Sequence, residues 1–140
     1  MTSADTDVPI RSQVPVADAL LVALGSQDFV RLADLFEQDA VLNAVLPDGL
    51  HEWTGPERIT AAFHRWFGVV DQCELIATDV ALHGPRLQMR WRARVSGAHF
   101  GTTPYVVEQH VYADPGPTGR ILAMSMLCSG FVMEHSDARG

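Results

Sequence analysis

The sequence predicts an α+β domain in which helices cover one face of a single curved, mostly antiparallel sheet. Three observations carry that expectation. Apolar residues recur at helical spacing in segments before residue 68, and from residue 72 onward the period becomes two. Helical segments come first and the long strands follow in a run, the order of an α+β domain. The stretch from Tyr105 to Phe131 holds two apolar-rich runs separated by Asp114-Pro115-Gly116-Pro117-Thr118-Gly119, a cluster of turn residues that makes it a β-hairpin.

Ala17, Leu20, Leu21 and Leu24 mark a first helix, with Gly25 where a helix C-terminus favours positive φ. Ser26 or Asp28 can cap a second helix, with Phe29, Leu32, Ala33 and Phe36 on its apolar face and an end near Asp39. Extended runs at Val41 to Leu46 and Leu50 to Trp53 flank a turn at Pro47-Asp48-Gly49. Thr54 and Glu57 read as a capping box with Pro56 in the first turn, opening a third helix with Ile59, Ala62, Phe63, Trp66 and Phe67 inward. Glu74 to His83 and Arg86 to Val95 are strands; in the second, Leu87, Met89, Trp91, Ala93 and Val95 share one face and Arg86, Gln88, Arg90, Arg92 and Arg94 the other. In the closing hairpin Tyr105, Val107, Gln109 and Val111 face inward with Leu122, Met124, Met126 and Cys128. A strongly twisted sheet wrapped over three helices leaves a conical cavity, a ready ligand site.

With 140 residues the chain makes one domain, long enough to bury roughly two thirds of its unfolded surface. Residues 1–14, acidic and polar without the regions of a signal peptide, read as a disordered leader of a cytoplasmic protein; 15–134 form the domain and 135–140 a flexible tail. Two cysteines, Cys73 and Cys128, are too few for a disulfide framework and too isolated for a zinc cluster. A formal charge of -7 argues against nucleic acid or an anionic membrane as partner. All ten basic residues are arginine, so Schiff-base chemistry, pyridoxal phosphate attachment and a Walker P-loop are excluded for want of an amine. No metal motif is present, and no cofactor is expected.

Leu35-Phe36-Glu37-Gln38-Asp39-Ala40-Val41, Gly55-Pro56-Glu57-Arg58-Ile59 and Gly119-Arg120-Ile121, in that order and spacing, resemble the NTF2-like superfamily and more narrowly its SnoaL-like branch, over about residues 15 to 134. The resemblance implies a cone-shaped, cystatin-like α+β barrel with three N-terminal helices against the sheet and an apolar pocket. It also implies a homodimer joined through the outer sheet face, here Arg90, Arg92, Glu108 and His110. Relatives include ketosteroid isomerases, polyketide cyclases, scytalone dehydratase, limonene epoxide hydrolase and domains that only bind, so fold does not choose the chemistry. Aligned on these motifs, the isomerase's tyrosine falls at Leu20, its base at Ala44 and its oxyanion acid at Gln109, leaving the first two roles vacant.

Three residues remain as catalytic candidates. Gln109 is an inward amide able to polarise a ligand oxygen, or else a structural amide. His51, near the pocket rim beside Glu52 and Trp53, is a proton shuttle or a hydrogen-bonded surface histidine. Cys128 is a nucleophile or a small hydrophobe. Glu108 and His110 lie on the outer phase, opposite the arginine ladder, and are best explained by cross-strand ion pairs or a dimer surface. His83, His99 and His135 fall in turn or terminal positions. A substrate-binding lining of Trp53, Phe63, Phe67, Trp91, Tyr105, Val107, Met124 and Met126 suits a flat apolar molecule, though the same side chains also fill a core. Expected is a SnoaL-like cyclase, isomerase or dehydratase acting on an apolar carbonyl-bearing metabolite, such as a polyketide. The alternatives are a non-catalytic binding protein and a dimerisation module.

Overall fold

Two helices open the chain in the computed structural model, which describes residues 15–98, 101 and 103–134. The expected leader and tail, and with them His99 and His135, lie outside the described residues. Helix α1 (Pro15–Gly25) buries Ala17, Leu20, Leu21 and Leu24 as its spacing requires. The left-handed residue that follows is not Gly25 but Gln27, at φ 57°. Its side chain offsets that strain, Nε2 donating to the carbonyls of Phe67 at 2.7 Å and Val70 at 3.2 Å. A residue strained at the end of one helix thus caps the end of another.

Helix α2 (Phe29–Ala33) is shorter than its sequence pattern suggests. Asp28 caps it, Oδ1 accepting from the Arg31 N–H at 3.1 Å. Phe36 does not continue the helix; it opens strand β1 (Phe36–Leu46). The cause is long-range: the Ile121 N–H donates to the Leu35 carbonyl at 2.8 Å and Phe36 pairs with Ile121, drawing the chain into the sheet. Strand β2 (Gly49–Thr54) turns back antiparallel to β1 through Pro47-Asp48. Helix α3 (Pro56–Phe67) is capped by Gly55 at φ 91°, not by Thr54, and no side chain bonds at its cap. Thr54 is unavailable because it pairs with Val41 at the end of β2. Of the three helices among the described residues, therefore, two precede the sheet and the third is inserted after its first hairpin.

Strands β3 (Gln72–His83), β4 (Arg86–Ser96), β5 (Tyr105–Pro115), β6 (Ile121–Cys128) and the short β7 (Val132–Met133) complete a curved, unclosed seven-stranded sheet in the order β2-β1-β6-β5-β4-β3, with β7 on β5. The β1–β6 pair is parallel and the others are antiparallel. Alternation in β4 and β5 places Leu87, Met89, Trp91, Ala93, Val95, Val107, Gln109 and Val111 inside. In β6, Met124 and Met126 are buried as expected, but a bulge opposite Asp114 and Pro115 reverses the phase at its start. Ile121 is therefore inside and Leu122 only half-buried, contrary to strict alternation. Among the described residues no helix is long and apolar enough to cross a membrane.

The outer face of β4 and β5 carries the charges. Glu108 accepts from Arg92 at 2.8 Å and Arg90 at 3.4 Å and meets His110 Nε2 at 2.8 Å. Arg92 first, then His110 and Arg90, hold its carboxyl down at about 2. A depressed folded value means stability that is present above the unfolded carboxylate range and is lost as pH falls toward the folded value. Thermal melts should therefore show Tm falling between about pH 4.5 and about pH 2, with Glu108→Gln flattening that slope. An unchanged slope would show that the cluster contributes nothing to acid stability.

Candidate functional site

An apolar cleft of about 300 Å³ opens where four pieces of chain meet at one end of the sheet. Leu46, Pro47 and Asp48 come from the β1–β2 turn, Trp66 from the last turn of α3, Val107 and Gln109 from β5, and Cys128, Gly130 and Phe131 from the β6–β7 connection. Each wall is held by a bond remote in sequence. Gln27 grips the end of α3 beneath Trp66. The wall bearing Phe131 is tied down by the pairing of Tyr105 with Met133 and Val106 with Val132, and by Arg94, which forks onto Glu134 at 2.8 and 2.9 Å. Gly130, at φ 77°, passes so near Pro47 that an added Cβ would fall 2.6 Å from its Cγ. Only glycine satisfies both demands.

Beneath the floor lies a buried polar relay. The Trp91 indole N–H donates to Gln109 Oε1 at 2.7 Å, and Gln109 Nε2 donates to Cys128 Sγ at 3.3 Å. Indole is a donor only, so the amide oxygen must face it and the amide NH₂ must face Cys128 and the cleft. The Gly130 N–H approaches the same sulfur at 3.4 Å. Gln109 itself is 0% exposed, and it borders the cleft beside Cys128. The other cysteine sits elsewhere: burial pushes the Cys73 thiol up to about 11, which disarms it as a nucleophile.

At the mouth, His51 Nε2 lies 2.8 Å from Asp48 Oδ1; an ionised carboxylate only accepts, so the imidazole donates. That hydrogen bond holds the Asp48 carboxyl below the usual carboxylate range. His51 stacks on Trp53 at 5.6 Å, Trp53 meets Trp66 edge-on at 5.7 Å, and Trp66 meets Phe63 at 5.2 Å. An aromatic chain thus runs from the rim into the core.

The residues singled out in the sequence fall into three positions. Val107, Gln109 and Cys128 border the cleft, and His51 and Trp53 stand behind its rim. Phe63, Phe67, Trp91, Met124 and Met126 are closed inside the hydrophobic core, and Tyr105 is half-buried at the start of β5. Sequence reasoning missed Asp48, which reads only as a turn residue, and Phe131 and Gly130, which lie past the last long strand. The motif-derived vacancies are also visible: Leu20 and Ala44 are fully buried core residues. Among the described residues no cluster of His, Cys, Asp and Glu gathers as a metal site.

The sequence profile of the SnoaL-like domain matches residues 17–132. The chain belongs to the SnoaL-like family. No curated protein sequence matches this SnoaL-like chain. Among solved structures it is similar to a SnoaL-like polyketide cyclase candidate from Shewanella denitrificans, at 20% identity and TM-score 0.66 over 86% of this chain and 91% of that one. It is also similar to an epoxide hydrolase resembling limonene epoxide hydrolase from M. tuberculosis, at 18% identity and TM-score 0.63 over 83% and 81%. A third similar structure, a Catenulispora acidiphila protein with a ketosteroid isomerase-like fold, has 17% identity and TM-score 0.68 over 82% and 85%. At these identities the likeness shows the SnoaL-like fold alone.

The relay predicts a measurable cost. Gln109→Leu leaves the buried Trp91 N–H without its acceptor and should destabilise the SnoaL-like domain by about 1–3 kcal/mol in urea unfolding. A change within about 0.5 kcal/mol would mean the indole finds another partner.

Proposed function

We propose that this SnoaL-like domain is a small-molecule enzyme of the cyclase, isomerase or dehydratase type, acting on an apolar carbonyl-bearing metabolite in the cleft. The observation that supports it is the orientation of Gln109. With its oxygen capped by Trp91, the amide turns its NH₂ group to the Cys128 side, where Sγ accepts one N–H. When the Cys128 side chain turns aside, the amide donates to a ligand oxygen in a site walled by apolar groups, where such a bond is stronger than in water. A ketone so polarised loses an α-proton more readily. In this reading His51, acting through Asp48 or a water, moves that proton. Apolar walls enforce the substrate's conformation, and polyketides fit that chemical class. The alternative is a binding protein that uses the same cleft without proton transfer.

A test that needs no natural substrate uses tetralone and its parent hydrocarbon tetralin. The ketone should bind more tightly by about one neutral hydrogen bond, roughly twofold to tenfold, and Gln109→Leu should equalise the two. Equal affinity in the wild-type protein would remove Gln109 from the site. Proton NMR in D₂O then separates catalysis from binding. The enzyme reading expects the protein to accelerate α-deuteron exchange of tetralone and His51→Ala to lose the acceleration. Binding without acceleration favours the carrier.

We further propose a homodimer through the outer sheet face. Leu50, Val45, Leu127 and His110 lie in one cross-strand row there, continued by Arg90 and Asp79. Leu50 is 73% and Leu127 57% exposed, beside the mutually paired Arg90, Arg92, Glu108 and His110. An apolar row of that length rimmed by charge fits a second copy. Leu127→Arg should convert the dimer to a monomer in analytical ultracentrifugation. A wild-type protein that sediments as a monomer at micromolar concentration would dispose of the idea.

A further inference from the structure

The charge and chemistry of the cleft mouth point beyond a generic apolar ligand. Among the described residues lining the cleft, Asp48 is the one that is charged and none is arginine. Two aromatic side chains, Trp66 and Phe131, line the same cleft, and the rest of the lining is Leu46, Pro47, Val107, Gln109, Cys128 and Gly130. His51 takes only Oδ1 of the carboxylate. An aspartate between a proline and a glycine is expected on turn grounds alone. What distinguishes this one is its place: a carboxylate at the rim of an aromatic-walled cavity supplies both elements that recognise an organic ammonium, a counter-charge and π faces.

We propose that the cleft selects apolar molecules carrying a protonated amine at the end that lies nearest the mouth, with Asp48 as the counter-charge and Trp66 and Phe131 as the cation-facing walls. This rests on the reading of the cleft as the small-molecule site and names the substrate class it takes. The two ends of the cleft then have opposite demands. Gln109 at the floor offers a donor to a ligand oxygen, while Asp48 at the mouth accepts from a ligand cation. Carboxylates and phosphates are disfavoured at the mouth, consistent with a chain of net charge -7. Amino ketones of modest size meet both ends at once.

The test uses three probes of one skeleton, phenylpropylamine, phenylpropanol and phenylpropanoate, titrated into the full-length protein by calorimetry at low salt. The amine should bind about fivefold more tightly than the alcohol, and the carboxylate should bind most weakly. Asp48→Asn should bring all three within about twofold of one another, and added salt should shrink the amine preference in the wild type. Phe131→Ala should weaken all three probes, which places them in this cleft. Equal binding of the three probes to the wild-type protein would overturn the amine selection while leaving the cleft as the binding site. An amine preference that survives Asp48→Asn would overturn the assignment to Asp48. Failure of all three probes to bind would overturn both this proposal and the small-molecule reading on which it stands. Melting curves of each variant, matched to the wild type, show that the comparison is made between folded proteins.

Discussion

A single buried hydrogen bond, from the indole of Trp91 to the amide oxygen of Gln109, links the sheet to the site. Both residues are fully buried and directly opposed across β4 and β5, so the bond can form only in one strand register. A slip of β5 by one residue would carry Gln109 to the outer face and its neighbours Glu108 and His110 into the core. The same bond settles which end of the amide faces the cleft, because indole cannot accept. Register, core composition and the polarity of the cleft floor therefore share one cause.

The walls above that floor come from the ends of elements rather than their middles. The last turn of α3, the β1–β2 turn and the β6–β7 connection are each places where regular backbone pairing stops. Gln27, the Arg94–Glu134 fork and the contact of Gly130 with Pro47 replace it. Chain ends held by such contacts leave space between them, whereas the inward residues of β4 and β5 are buried in one core with those of α1 and α3. Phe63, Trp91, Met124 and Met126, away from the ends of their elements, fill the core, and Phe67, at the end of α3, is turned into it, while Trp66 and Phe131 line the cleft.

The two faces of the sheet divide the chemistry. Outside, Arg90, Arg92, Arg94, Glu108 and Glu134 satisfy one another in a ladder. At the rim of the cleft, Asp48 and His51 meet, and away from it the Glu37 carboxylate is buried on the Thr118 hydroxyl and N–H. The chain belongs to the SnoaL-like family, but fold alone does not choose a chemistry, and Leu20 and Ala44 are closed in the core. Whatever chemistry occurs must use the groups that remain: an amide under the floor, a thiol over it and an imidazole–carboxylate pair at the mouth.

Periodicity alone determined the long strands and their inward faces, because side-chain alternation is local and β4 repeats it without a break from Arg86 to Ser96. It also determined the inward face of α3 and the outward ladder, and the ordered motifs were enough for the family. It could not determine where α2 ends, since Phe36 answers to a partner 85 residues away at Ile121. Nor could it show the reversal of phase at the β6 bulge, the capping of α3 by Gly55 or the left-handed Gln27, each of which depends on a long-range pairing. Cleft and core were indistinguishable in the sequence for the same reason: both are lined by inward apolar residues, and only the distance between packed elements separates a filled interior from an open one. Asp48 came to the cleft by that route, as a turn residue whose role depends on Trp66 and Phe131, side chains that the chain brings beside it only when folded.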